Sequence, residues 1–146
     1  MHKISRAIIK AIKNDKKILI FGCGGLASES NHFAGELVGK FKKDRRALPA
    51  ISLTSNEAII TAVANDYSFD HVFVRQLEAL GRKGDVAIGM STSGKSQSVL
   101  NALEWAKKHH LIAVDLPRTG IDTPTIQENQ LKLIHRISEE VEDAFV

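Results

Sequence analysis

"KILIFGCGGLASESNHFAGEL", residues 17–37, decides the fold. An apolar run of strand length, residues 18–21, ends at Gly22 without any polar alternation. A strand written that way is covered on both faces, as in a parallel sheet. A glycine turn, "FGCGG", follows it, and the next segment repeats apolar residues at helical spacing: Phe33, Leu37 and Phe41 fall on one face, with Ser28 or Ser30 near its start. Strand, glycine turn and helix in succession form the first half of a βαβ unit.

Outward from this stretch the pattern repeats. Residues 4–13 carry Ile4, Ala7, Ile8, Ala11 and Ile12 at helical spacing. Strands are expected at "PAISL" (49–53), "GDVAIGM" (84–90) and "LIAVDL" (111–116). Helices are expected at 56–63, 69–80, 98–108 and 126–145, a turn at "NDYSFD" (65–70), and loops at "STSGKS" (91–96) and "PRTGIDTP" (117–124). Strands alternating with helices give an α/β domain, with a mostly parallel sheet and helices on both faces. No repeat or linker divides residues 1–146, which read as one domain.

Composition narrows the function. The chain has 146 residues, 43% hydrophobic and 25% charged, with a net charge of +3. One Tyr and one Trp among dispersed basic residues do not make a nucleic-acid surface. The densest basic run, "GKFKKDRR" (39–46), reads as a solvated face. A single cysteine, Cys23, excludes an intrachain disulfide and fits a reducing, cytoplasmic setting. No run reaches the ~18 apolar residues of a membrane span, and the lysine-rich start has no signal-peptide core.

In doubly wound sheets, ligands bind beyond the carboxyl ends of the strands. "GMSTSGKS" (89–96) lies at such an end, and Ser91, Thr92, Ser93 and Ser96 supply hydroxyls ahead of a helix whose first N–H groups are unpaired. That suits a phosphate monoester or, equally, a serine-capped turn. It is not a Walker A loop, because only "SGKS" matches. "FGCGG" lacks the third glycine of a dinucleotide fingerprint, where Ala27 stands. It is either a bare turn or a close approach of backbone to ligand.

His32 and Glu36 lie one helical turn apart, a spacing for a metal, for proton transfer or for a surface pair. Gln127 and His135 are eight residues apart on the last helix, about 12 Å along a straight helix, so spacing alone does not join them at one metal. His135 in "KLIHRI" reads by itself as a core or interface histidine. Asn65 and Asp66 read first as an Asx turn, with sugar-hydroxyl binding as the other reading. Cys23 has no base beside it in sequence and reads as inert.

Taken together, "HFAGELVGKF", "AVANDYSFDHVFVRQLEALGRKGDV", "GMSTSGKS" and "DTPTIQENQLKLIH" resemble the sugar-isomerase (SIS) fold, and within it the phosphoheptose isomerase family. The likeness runs from about residue 8 to 141. It implies a single SIS-type domain that interconverts sedoheptulose 7-phosphate and D-glycero-D-manno-heptose 7-phosphate through an enediol. It implies Glu36 and His135 as the acid/base pair. Substrate contacts would come from Cys23, Gly24, Gly25, Glu36, Asn65, Asp66, Ser91, Thr92, Ser93, Ser96 and Gln127. His32, Glu36, Gln127 and His135 would ligate one zinc ion per subunit. A homotetramer with sites at subunit interfaces is implied too.

The chain departs from the family pattern at Cys23, where the turn has Asn; at Leu26, where it has Ser; and at Lys95, where the loop has Asn. Leu26 removes a hydroxyl, and Lys95 either adds a phosphate contact or is solvated. The start is about one helix short of the family's. Between His110 and Val114 a strand and glycine-rich loop of the family have no counterpart, and residues omitted from the sequence are favoured over a true deletion, because loss of a core strand should expose its neighbours. Two other functions are weighed: a tetramer that acts by binding protein, as in the DnaA-initiator-associating relatives, and a sugar-phosphate sensor. The first branch lacks the Glu and His that match Glu36 and His135, and a sensor can dispense with them. This chain has both.

Overall fold

The computed structural model describes residues 1–146. Four parallel strands, β1 (Ile18–Gly22), β2 (Ala50–Ser52), β3 (Val86–Met90) and β4 (Ile112–Asp115), stand in the order β2-β1-β3-β4. The helices are α1 (Lys3–Lys13), α2 (Gly25–Val38), α3 (Glu57–Asp66), α4 (Val74–Leu80), α5 (Gln97–Lys108) and α6 (Thr123–Asp143), with a 3-10 turn at Phe69–His71.

The unbroken apolar run of β1 is buried along its whole length. Side chains alternate across a strand, so Ile18 and Ile20 pack with Ile8, Phe33, Leu37, Ile134 and Val141 of α1, α2 and α6. Leu19 and Phe21 face the other way, into Phe73, Leu77, Val99 and Leu103. The sheet is therefore covered on both faces, as expected. From β1 the chain lays β2 on one side and then returns to lay β3 on the other. The carboxyl ends of β1 and β3 part at that reversal, which is where ligands enter such sheets.

Several expected boundaries move. Helix α2 stops at Val38 with Gly39 as its cap, so Phe41 leaves the face it was expected to share with Phe33 and Leu37. Nor is the basic run after it uniformly solvated. The Arg45 side chain is 1% exposed and donates to the carbonyls of Glu36 (2.7 Å), Leu37 (3.1 Å) and Gly39 (2.7 Å), closing the end of α2. Helix α3 runs three residues further than expected, so Asn65 and Asp66 are helical and form no Asx turn. The expected 69–80 helix divides where Val72 and Phe73 turn into the core. Helix α6 starts early because Asp122 accepts from the Thr125 N–H at 2.9 Å and Pro124 fits the first turn.

Helix α5 passes into β4 through His109–Leu111 without a break, His110 taking a φ of 63°. The exposure expected from a missing neighbour falls on β4, an edge strand whose Ile112 is 40% exposed. Glu140 of α6 anchors the opposite end of the chain by accepting from the His2 N–H (2.9 Å) and the Ser5 hydroxyl (2.6 Å). Burial alone would raise its pKa, but these donors and Arg136 bring it down to about 2.

Candidate active site

Two glycine- and serine-rich turns meet at the β1/β3 reversal. Gly24 caps α2 with a φ of 62°, a backbone shape that favours glycine, and no side chain caps that helix. Ser96 is the N-cap of α5, yet its hydroxyl makes no capping bond. It lies 3.6 Å from Cys23 Sγ and 3.3 Å from the hydroxyl of buried Ser98, which is itself 3.4 Å from Cys23. Cys23 thus joins the two turns. At α2 the N–H groups of Leu26 and Ala27 already bond the carbonyls of Cys23 and Gly24, whereas the first N–H groups of α5 carry no cap, which leaves those for an anion.

The loop's other hydroxyls shape the loop itself. Ser91 Oγ accepts from the Gly94 N–H and Ser93 Oγ from the Lys95 N–H, each at 3.0 Å. Thr92 is half-buried between them, and Lys95 is exposed. Leu26, expected to alter the substrate side of the glycine turn, is 2% exposed and belongs to the core beneath α2.

The histidine–glutamate pair sits further along α2. His32 Nε2 is 3.2 Å from Glu36 Oε1, and His32 Nδ1 is 3.3 Å from Glu29 Oε2, so a carboxylate faces each ring nitrogen. His135 of α6 meets His32 edge-on, ring centroids 5.3 Å apart. It is half-buried rather than a core residue. Phe41 covers its other side at 5.5 Å. Gln127, two turns earlier on α6, lays its amide on Gly25 so closely that a methyl there would overlap it. Helix α6 therefore brings Gln127 to the glycine turn and His135 to the His32–Glu36 pair.

Phe41 reaches His135 because its loop is pinned to α6. Buried Glu142 accepts the N–H groups of Phe41 (2.9 Å), Lys42 (2.7 Å) and Lys43 (2.9 Å), with Arg45 Nε at 3.4 Å. Burial pushes its pKa up, but these donors outweigh that and leave the carboxyl below its usual range.

Asn65 and Asp66 are exposed at the end of α3, bonded to each other at 3.0 Å and to no other candidate residue. As metal donors, His32, Glu36 and His135 are chemically suited to zinc, and the Gln127 amide carries an oxygen donor at the glycine turn. His32 approaches both Glu36 and His135. No three His, Cys, Asp or Glu side chains converge into a preformed cluster.

A model of the SIS domain matches residues 1–115. The chain belongs to the SIS domain family. A phosphoheptose isomerase of Geobacter metallireducens is 43% identical over 151 aligned positions that cover 92% of this chain and 80% of that protein. Those positions outnumber this chain's 146 residues, so that SIS relative carries internal residues without counterpart here. Solved structures agree: phosphoheptose isomerase GmhA from Neisseria gonorrhoeae superposes with a TM-score of 0.90 at 34% identity, and one from Francisella tularensis with 0.92 at 28%. Each match covers 96% of this chain and 83% of the other. With relatives of this name and likeness, this SIS chain is an isomerase.

Three residues at the site escaped sequence reading: Glu29, Phe41 and Ser98. Glu29 stands three before His32, a helical spacing that could have found it. The others arrive through tertiary contacts.

Gly25→Ala tests the packing of α6 on the glycine turn. The methyl displaces the Gln127 amide without touching the core, so activity falls by about tenfold or more. The melting temperature stays within a few degrees of wild type. Paired activity and melting measurements check it.

Proposed function

We propose that the chain interconverts sedoheptulose 7-phosphate and D-glycero-D-manno-heptose 7-phosphate. The single observation that carries this reading is the reach of α6. Its Gln127 packs on the glycine turn beside the uncapped serine loop, and its His135 stands against His32, which in turn faces Glu36. One helix thus touches both the glycine turn and the histidine of the proton-transfer pair. The names of the relatives support the sugar, and the serine loop supports the phosphate.

The open-chain ketose is held by its phosphate at Ser91, Thr92, Ser93 and Ser96, with the uncapped α5 amides. That anchor fixes C1 and C2 near Glu36. Glu36 takes a proton from C1, and the electrons of that C–H bond form the C1–C2 double bond as the C2 carbonyl oxygen gains a proton from His135. The enediol collapses the other way. The C1 hydroxyl returns its proton to His135, a C1 carbonyl forms, and C2 takes the proton from Glu36. Atoms and charge balance with no redox partner. Such positioned acid–base transfer contributes about 10²–10⁴-fold in rate.

His32, Glu36, Gln127 and His135 are the residues proposed to hold one zinc ion per subunit, which would polarise the carbonyl when bound. A carboxylate that ligates zinc is a weaker base, so the two roles of Glu36 compete. Protein purified without chelator is expected to carry about one zinc per chain by elemental analysis. Absence of zinc, together with turnover that added zinc leaves unchanged, would remove the metal from this reading.

A homotetramer with sites between subunits is proposed as well. Helix α3 buries only Val63 of its ten residues and leaves Ile59 exposed, with Tyr67 and Phe69 exposed just beyond it. Asn65 and Asp66 lie at the end of that apolar surface, where a second copy would bring them to a sugar. A cytoplasmic setting fits the single cysteine, and no helix is long and apolar enough to cross a membrane. The test of function is NMR of sedoheptulose 7-phosphate incubated with the protein. Anomeric aldose signals should grow to the same equilibrium reached from the aldose side, and spectra identical to a protein-free control would refute the reaction.

A further inference from the structure

The loop after β4 brings a cation to the back of the serine loop. Arg118 donates both terminal nitrogens to Asp115, at 2.8 and 2.9 Å. Its guanidinium lies against Gly94, where a Cβ would stand 3.1 Å from Cζ and from Nη2. Gly94 has a φ of 71°, a backbone shape that favours glycine. Arg118 Nη1 also reaches the Ser91 carbonyl at 3.4 Å, and buried Gln130 donates to the same oxygen at 3.4 Å. The Ser91 hydroxyl accepts the Gly94 N–H on the other side. Arg118 and Gln130 therefore both hold the Ser91 carbonyl, and Arg118 also packs on Gly94. Lys95, the loop's own cation, is exposed and makes no ion pair.

We propose that Arg118 is the positioning residue of the phosphate subsite: it holds Ser91–Gly94 in its anion-binding shape and sets a fixed positive charge behind a bound phosphate monoester dianion. This rests on reading residues 91–96 as the phosphate loop. Asp115 orients the guanidinium by a planar fork that lysine cannot reproduce. Half-exposed Asp115 offsets part of the charge, so the gain is to phosphate affinity and placement, not to the proton transfers. A loop that selects for the dianion in this way favours phosphorylated over free sugars.

The test compares wild type, Arg118→Met and Arg118→Lys as full chains. One readout is the dissociation constant for inorganic phosphate from its effect on melting temperature. The other is KM and kcat for sedoheptulose 7-phosphate. Arg118→Met is expected to weaken phosphate binding and raise KM by about tenfold, with kcat within about threefold of wild type. Arg118→Lys keeps charge and loses the fork, so it falls between the two. Unchanged phosphate affinity and KM in Arg118→Met would overturn the proposal. Should that variant not fold, Arg118→Lys decides: a severalfold rise in both constants supports it, and wild-type constants overturn it. A wild type that binds phosphate but turns over no sugar defeats the isomerase reading alone. A wild type that turns over sugar while Arg118→Met keeps its KM defeats this one alone.

Discussion

Glu36→Gln is expected to lower kcat by about 10²–10⁴-fold while leaving the fold intact. The Glu36 side chain is 18% exposed, and its one close polar neighbour is His32 Nε2 at 3.2 Å. Its backbone carbonyl, which Arg45 holds, is untouched by the substitution. Glutamine keeps the volume and an oxygen able to face His32 or a metal, but it cannot take a carbon-bound proton. Lost activity with unchanged melting and unchanged metal content therefore isolates the base. His135→Gln should lose a similar factor, and the double variant little more than either, because groups that act as one unit are not additive. Steady-state rates for the four proteins, with melting curves and metal analysis beside them, check this.

Glu142→Ala is expected to be the most destabilising single change at the site. Its carboxylate, 1% exposed, receives three backbone N–H groups and faces the equally buried Arg45. Removing one partner of such a buried ion pair costs about 3–5 kcal/mol. For a chain of this size that is a fall in melting temperature on the order of 10 °C. Activity should fall as well, because Phe41 loses the anchor that seats it against His135. The pH dependence has a definite sign. The folded pKa of Glu142 lies below its ordinary value of 4.5, so its contribution is present above pH 4.5 and is lost as pH falls through the folded value. Glu140, held at about 2, behaves the same way between pH 4.5 and 2. Melting curves of wild type and Glu142→Gln should converge over that acid range, and a gap that stays constant with pH would contradict the assignment.

Periodicity and turn chemistry made the layers readable. The apolar run at 18–21 reads as a strand buried on both faces, and it is one. The boundaries that moved did so for reasons a linear pattern does not carry. Phe41 kept helical spacing with Phe33 and Leu37, but Gly39 ended α2 and the Glu142 carboxylate drew the loop to α6. Arg45 looked like one more solvated cation until its fork found three carbonyls at the end of a helix. At the site, His32 and Glu36 were legible because one helix sets their distance. His135 was legible only through the family resemblance, because its partner lies about 100 residues away and its apolar neighbours read by themselves as core or interface. Leu26 occupied a position of chemical interest and proved to point into the core.

The most direct test of the account is the structure of Glu36→Gln bound to sedoheptulose 7-phosphate. The phosphate is expected within hydrogen-bond distance of Ser91–Ser96 and the first amides of α5, with C1 and C2 beside residue 36 and His135. A phosphate bound elsewhere, or a sugar whose C1 and C2 lie away from residue 36 and His135, would contradict the claim that one site joins anion binding to proton transfer.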